Sequence, residues 1–359
     1  MHIIIMTNKN KNKFLIIDSR PYGLFSIFLH TIDNIKWAKD NGYTPVVRWG
    51  PGRRDPNHGR AGAREASQRG HPSFVTDRTN FLTDDKPPSW NNTAGLKHCQ
   101  CLYWAEEGWR ETTNPWLYYF EPLNEYSVEE AEAAEHDVAD IFMAGEFDFD
   151  LENKFLIANL HSYEPLALWQ LLERESEADL PHNKKYEFQH RKRVSDVISE
   201  NVVVRKEILD KIDKFHSKNF SDNVLGVHVR GTDKKLEYPH KALPISAYIE
   251  AIQEYVDNNP DCKIYVASDN NEAIMEIFKK FGSKRVFVTN ATRMQSYLSA
   301  DPICLTPSTG PKHGEEVLIE CMLLSRTNHL ICTDSNVAAS ALYINPNITT
   351  TYLNRKHGK

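Results

Sequence analysis

Residues 224–234 read VLGVHVRGTDK, an apolar run that ends abruptly in polar and charged side chains. In a β-strand, alternation places Gly226, His228 and Arg230 on one face and the intervening valines on the other. Open α/β sheets bind anionic ligands where their strands end, and the guanidinium of Arg230 suits bidentate contact with phosphate oxygens. The stretch therefore predicts a phosphate-binding strand end. The alternative is a buried strand that runs into an ordinary polar turn.

The carboxyl-terminal part of the chain continues this strand in a regular alternation of strands and helices. Short apolar runs predict strands at 263–267, 285–288 and 330–332. Apolar residues at helical spacing predict four helices. The first begins at Pro244, the second ends before Gly282, and the other two cover 315–326 and 337–342. Such an alternation implies right-handed crossovers and a parallel sheet that is covered on both faces.

The amino-terminal part opens in the same α/β pattern. A strand is predicted at 14–17, a helix from Leu24 to a stop at 41–42, and a second strand at 45–49. The turn at Gly23 brings backbone amides to the amino terminus of that helix, which is an arrangement that can bind anions.

Residues 51–113 differ from their surroundings because they lack periodicity and contain few large apolar side chains. An irregular insertion is favoured there over a basic anion-binding segment. The aromatic run at 115–122 is favoured as core over a sugar-stacking surface. The polar, turn-rich residues 218–223 indicate a boundary between two domains, 1–220 and 221–359.

The composition is that of a globular protein, with 40% hydrophobic and 26% charged residues in a chain of 359. This length favours two domains, and the net charge of −6 argues against nucleic acid as a partner. No apolar run approaches the ~20 residues of a transmembrane helix. The first apolar residues are too few for a signal-peptide core, so a cytoplasmic location is expected.

Three motifs carry a resemblance to a known family. HVRGTDK at 228–234 resembles the first motif of the α1,6-fucosyltransferase superfamily, which includes NodZ-type enzymes and protein O-fucosyltransferases. YVASDN at 265–270 is similar to the second motif, a strand that ends in Asp. EVLIE at 316–320, continued by LICTDSN at 330–336, is similar to the third. The resemblance implies a GT-B-like α/β fold, in which two Rossmann-like lobes face a central cleft.

The resemblance also implies a role for each matching residue. The arginine on the donor β-phosphate corresponds to Arg230 and the lysine that follows it to Lys234, while Asp233 braces the turn. Asp269 holds a loop or the guanosine ribose, and Glu320 takes the place of the carboxylate that contacts the guanine edge. Further donor contacts are implied for Gly23, His228, Ser335 and Asn336.

The sequence departs from the NodZ-type pattern at Gly231, where those enzymes have a second arginine. The O-fucosyltransferases also lack a strict arginine pair, so the fold expectation is unaffected, whereas an α1,6 linkage does not follow. Glu237 lies one position before the place where some relatives have their presumed catalytic base. It is the candidate base here, and its alternative is a surface glutamate that opens a loop.

The expected reaction needs no metal or other cofactor. Negative charge grows on the β-phosphate as a nucleoside diphosphate departs, and fixed cations such as Arg230 and Lys234 can stabilise it. The sequence has no HExxH motif and no clustered spacing of metal ligands. The Asp-x-Asp at 148–150 lies far from the donor motifs, so a metal site there is disfavoured.

The sequence therefore predicts an inverting, metal-independent glycosyltransferase that moves fucose from GDP-fucose to a glycan or protein-linked acceptor. One alternative is transfer of another GDP-deoxyhexose, and a second is a non-catalytic module that binds a nucleotide sugar. The transferase prediction depends on Arg230, whose guanidinium must lie at the departing diphosphate. If Arg230 were sequestered from the cleft, or tied up in a structural ion pair there, the transferase prediction would fail.

Overall fold

The computed structural model describes a defined part of the chain. The described residues are 13–19, 23–50, 103–105, 107–134, 147–150, 155–158, 184–231, 243–294, 310–333 and 335–353.

The first sheet has the strand order β2-β1-β4-β3. Strand β1 (Phe14–Asp18) pairs in parallel with β2 (Thr44–Arg48) and with β4 (Phe155–Ala158), while β3 (Phe147–Asp150) is antiparallel to β4. Helix α1 (Leu24–Asp40) connects β1 to β2. The predicted strand–helix–strand opening is therefore confirmed.

Helix α1 is buried along most of its length, which explains why apolar residues recur throughout it. It ends at Asn41, and Gly42 follows with a φ of +74° that favours glycine. The aromatic run forms core, as predicted. It includes the short helix α2 (Trp116–Tyr119), and Trp116, Tyr118, Tyr119 and Phe120 are all essentially inaccessible to solvent.

Helix α3 (Val128–Ala133) begins with a capping box. The side chain of Ser127 accepts from the backbone N–H of Glu130, and the Glu130 carboxylate accepts from the backbone N–H of Ser127.

The second sheet is parallel throughout, in the order β7-β6-β5-β8-β9. Its strands are β5 (Val224–Val229), β6 (Lys263–Ser268), β7 (Val286–Phe287), β8 (His329–Cys332) and β9 (Thr349–Tyr352). The predicted strand at 224–229 lies in the centre, and all six of its residues are buried. The threonine-rich β9 was not predicted, because its sequence lacks the apolar run of a central strand.

Four helices connect these strands: α6 (Ile245–Asn258), α7 (Asn271–Phe281), α8 (Pro311–Leu324) and α9 (Asn336–Ile344). Helix α8 begins four residues earlier than the predicted 315 and ends two residues before the predicted 326. Proline is favoured in the first turn of a helix because its missing N–H has no partner there. The two α/β sheets confirm the predicted GT-B-like class.

Two helices precede the second sheet, α4 (Lys184–Asn201) and α5 (Lys206–Asn219). Helix α4 packs on α1 and α9, and α5 packs on α8. One hydrophobic core thus extends from the first sheet to the helices of the second. The domain boundary at 220/221 stays a prediction. Across the described ranges, none of the helices is both long and apolar enough to cross a membrane.

Gly226 is needed for the approach of Thr327 to strand β5. A Cβ atom at position 226 would lie 2.7 Å from Oγ1 and 3.0 Å from Cγ2 of Thr327. We expect Gly226→Ala to lower the free energy of unfolding by about 1–3 kcal/mol, as overpacking does in a dense core. Urea denaturation measures the change.

The double variant Gly226→Ala/Thr327→Ala removes the two nearest atoms and is the matched control. Its loss should be smaller than the sum of the two single losses. Additive losses would contradict the steric explanation.

Candidate functional site

The carboxyl ends of β5 and β6 bring two predicted site residues together. Val229 pairs with Ser268 in the parallel register, so Arg230 and Asp269 emerge side by side. A guanidinium nitrogen of Arg230 donates to Oδ2 of Asp269. The side chains of Arg230 and Asp269 remain 24% and 13% exposed. The ion pair that counted against the transfer hypothesis is therefore present, at the solvent-accessible edge of the sheet.

His228 is buried beneath this pair, with 6% of its surface exposed. Its Nδ1 atom has no hydrogen-bond partner within the described part of the chain. Burial, followed by the positive charge of Arg230, lowers the pKa of His228 to about 3. The ring is therefore neutral near pH 7 and keeps one nitrogen available for a neutral hydrogen bond.

Glu320 lies in the middle of α8 and is also buried. Its Oε1 atom accepts hydrogen bonds from the Thr289 hydroxyl and from the guanidinium of Arg293. The pKa of Glu320 is raised to about 7, chiefly because the carboxyl group is buried; Arg293 and Thr289 oppose the rise, and Asp269 and Glu316 add to it. Glu320 is thus a carboxyl group that changes charge near neutral pH.

Arg293 and Thr289 were missed in the sequence. Both lie between β7 and α8, where no motif or periodicity marks them. Buried charges need partners, so a buried carboxylate at Glu320 implies that a cationic side chain lies near it. The sequence contains many arginines, however, and offers no sign of which one reaches Glu320.

The first turn of α8 adds a histidine and a second carboxylate. Nδ1 of His313 lies 3.6 Å from Oε2 of Glu316, which also accepts from the backbone N–H of Thr292 at 2.9 Å. The His313 ring stacks on Tyr103, with ring centroids 6.2 Å apart. Burial lowers the pKa of His313, against the opposing influence of Glu316 and Asp269.

Tyr103 joins the beginnings of two helices. Its hydroxyl oxygen accepts from the backbone N–H of Leu24 at 3.0 Å, next to the predicted donor residue Gly23 at the start of α1. A Cβ atom built at Gly314, in the first turn of α8, would lie 3.1 Å from its ring. Tyr103 falls in the segment predicted as an irregular insertion, where no sequence pattern marks it.

Glu315 ties the same end of α8 to two other segments. Its carboxylate accepts from Arg110 and from Lys211 of α5. Arg110 also donates to the backbone carbonyl of Tyr118. The three contacts fix the first turn of α8, and with it His313 and Glu316, against α5 and the aromatic core.

The remaining predicted site residues divide into two groups. The Ser335 hydroxyl caps α9 by accepting from the backbone N–H of Val337 at 3.2 Å, and Asn336 is the first residue of that helix. Asp233, Lys234 and Glu237 lie outside the described residues. In the ranges that the structure covers, no group of three or more His, Cys, Asp or Glu side chains could hold a metal ion.

Comparison with protein families gives one match. The model described as alpha-(1,6)-fucosyltransferase N- and catalytic domains matches residues 98–342. That range contains all three motifs and every predicted site residue except Gly23. No curated protein matches the chain in sequence.

Several solved structures are similar in outline. NodZ α-1,6-fucosyltransferase soaked with GDP-fucose is 15% identical, with 93% of this chain and 94% of that chain covered and a TM-score of 0.44. POFUT1 in complex with GDP-fucose is 11% identical, with 96% and 98% covered and a TM-score of 0.41. A variant of Arabidopsis thaliana FUT1 in complex with GDP is 12% identical, with 97% and 71% covered and a TM-score of 0.43.

The shifted pKa of His228 predicts an acid-sensitive fold. Because its folded pKa of about 3 lies below the usual 6.5, stability is complete above pH 6.5 and is lost as the pH falls toward 3. The slope approaches about 1.4 kcal/mol per pH unit. We expect His228→Gln to flatten this acid limb in urea denaturation between pH 4 and 8.

Glu320 provides a control of opposite sign. Its folded pKa of about 7 lies above the usual 4.5, so its contribution to stability is lost as the pH rises through that range. Glu320→Gln should therefore make the net rise of stability from pH 4.5 to 7 steeper. An unchanged acid limb in His228→Gln would refute the assignment of that limb to His228.

Proposed function

Since the chain belongs to the family of α-(1,6)-fucosyltransferase catalytic domains, we propose that this glycosyltransferase transfers fucose from GDP-fucose to a glycan or protein-linked acceptor. The observation that carries the proposal is the grouping of Arg230, Asp269, His228 and Glu320 at the carboxyl edge of the second sheet. Ligands of open parallel sheets bind at this edge.

Arg230 is the proposed anchor of the donor diphosphate. It is partly exposed at the end of the central strand, and its charge is permanent. Asp269 accepts a hydrogen bond from its guanidinium and helps to orient it at the end of the strand. The β-phosphate gains charge as the bond to fucose breaks, so a guanidinium held there stabilises the transition state more than the ground state.

His228 and Glu320 are the proposed contacts for the rest of the nucleotide. His228 is neutral and has a nitrogen available, which suits a hydrogen bond to a ribose or phosphate group. The charge of Asp269 raises the pKa of Glu320, which indicates that the two carboxylates face the same region. Guanine differs from adenine in presenting two N–H donors on one edge, and a carboxylate is the matching acceptor.

Transfer with inversion and without a metal completes the proposal. Fixed cations would replace the metal ion that other glycosyltransferases place on the diphosphate. Lys234 is the proposed second cation and Glu237 the proposed base that deprotonates the acceptor hydroxyl. Ser335 and Asn336 at the start of α9, with Gly23 at the start of α1, are the proposed remaining donor contacts. Asp233 is the proposed brace of the turn between Arg230 and Lys234.

Replacement of Arg230 tests the anchor. We expect Arg230→Ala to abolish the rise in melting temperature that GDP causes in the wild-type protein. It should also slow hydrolysis of GDP-fucose by roughly two to three orders of magnitude, because a charge-assisted contact to the developing charge is lost. Differential scanning calorimetry and a GDP-release assay measure the two effects.

Asp269→Asn is the matched control, because it removes the ion pair and leaves the guanidinium. If the pair only stabilises the fold, both variants should lower the melting temperature without nucleotide and should retain the shift caused by GDP. That result would refute the role of Arg230 in binding. A larger shift with UDP or ADP than with GDP, or faster hydrolysis of GDP-mannose than of GDP-fucose, would refute the proposed donor.

Chelation tests the absence of a metal from the reaction. We expect turnover of GDP-fucose to be unchanged, within about twofold, after dialysis against EDTA, because Arg230 and its neighbours supply the positive charge. The assay compares treated protein with and without added Mg²⁺ or Mn²⁺. Activity that is lost on dialysis and restored by either ion would contradict the proposal.

A further inference from the structure

The two oxygens of Glu320 are in different environments. Oε1 accepts from the Thr289 hydroxyl and from the guanidinium of Arg293, which uses both of its lone pairs. Oε2 accepts no hydrogen bond from any residue that the structure describes. One oxygen of Glu320 is therefore occupied, and the other keeps its lone pairs for a further donor.

Arg293 is held rigidly while it makes this contact. Only 6% of its side chain is exposed. Its Nε donates to the carbonyl of Ser268 at 3.1 Å, and its Nη1 donates to the carbonyl of Ala291 at 2.7 Å. The second terminal nitrogen contacts both Thr289, at 3.1 Å, and Glu320. Two backbone carbonyls thus fix the plane of the guanidinium, and the guanidinium fixes the carboxylate.

We propose that Arg293 is a positioning residue that, with Thr289, immobilises one oxygen of Glu320 and presents the other to the base of a guanine nucleotide. The proposal rests on the proposed function, which assigns guanine to Glu320. The N1–H and the 2-amino group of guanine lie next to each other on one edge. Both can donate to Oε2, which has two lone pairs. Recognition by one oxygen replaces the two-oxygen contact that a free carboxylate would make.

Arg293 also controls whether Glu320 can act as an acceptor. The charged and titratable groups that act on Glu320 are Arg293 from the segment after β7, Asp269 from the end of β6, and Glu316 one turn earlier in α8. The phenol of Tyr265 in β6 also interacts with it, and that group is neutral because burial raises its pKa well above 10. Arg293 is the sole cation among these groups, which come from the described residues.

Loss of Arg293 should therefore leave Glu320 protonated at neutral pH. The pKa of Glu320 is already raised to about 7 by burial and by two carboxylates, and the charge of Arg293 opposes that rise. A protonated carboxyl group presents an O–H that conflicts with the N–H groups of guanine. The pH at which the affinity for GDP rises should therefore shift when Arg293 is replaced. Loss of a residue with a purely structural role would not shift that pH.

The experiment measures the affinity of the full-length protein for GDP, IDP and ADP by isothermal titration calorimetry from pH 6 to 9. IDP lacks the 2-amino group and ADP lacks both N–H donors, so the wild-type order should be GDP, IDP, ADP. Arg293→Met should weaken GDP binding at pH 7 by roughly ten- to a hundredfold, with recovery at higher pH. Arg293→Lys, which retains the charge, should restore much of the affinity at pH 7.

Thr289→Val is the matched variant, because it removes one donor to Oε1 without a change in size or net charge. It should weaken GDP binding by several-fold and move the pH dependence in the same direction. It also keeps the proposal testable if Arg293→Met fails to fold. Glu320→Gln should remove the pH dependence and the preference for GDP over ADP.

The outcomes separate the two proposals. If the wild-type protein binds none of the three nucleotides, or binds them equally, the proposed function fails and the positioning role fails with it. If the wild-type protein prefers GDP, but Arg293→Met and Thr289→Val keep the wild-type affinity and pH dependence, only the positioning role is overturned. A lower melting temperature without nucleotide, combined with unchanged GDP binding, would make Arg293 a structural residue alone.

Discussion

The parallel pairing of β5 with β6 is the constraint on which the candidate site depends. Its register places Val229 opposite Ser268, so Arg230 and Asp269 leave the sheet at the same level. The register is specified because the two faces of β5 differ: Leu225, Val227 and Val229 pack in one core, and Gly226 and His228 lie on the other face, so a slip by one residue would exchange them. The ion pair between Arg230 and Asp269 follows from this register. Gly226 has no Cβ atom, which allows the side chain of Thr327 to pack closely against β5.

Two titratable groups of the site, His228 and Glu320, are buried and have shifted pKa values. His228 avoids the cost of a buried cation because it is neutral. Glu320 has one buried cation, Arg293, which is itself bound to two backbone carbonyls. Such perturbed groups cluster at functional sites, where desolvation is used to adjust charge near neutral pH. Glu315, by contrast, contacts two cations and fixes the first turn of α8.

Much of the fold was predictable because its elements repeat simple patterns. The buried strand at 224–229, the capping box at Ser127 and the stop of α1 at Asn41 each follow from local residue types. Strand β9 and the break between α4 and α5 were not predicted. β9 has the composition of an edge strand, and the break at 202–205 lies beside Phe120, whose backbone pairs with Val204.

The α/β class, the central strand and the candidate residues that follow each strand could be inferred from the amino-acid sequence, because strand and helix periodicities and strand-end residues are local features. Which side chains contact one another depends on how distant segments fold together. Arg293 reaches Glu320 across 27 positions of sequence, and Arg110 reaches Glu315 across 205. No local pattern encodes such contacts, since they arise when separate segments pack and each buried charge takes the nearest partner that the fold provides.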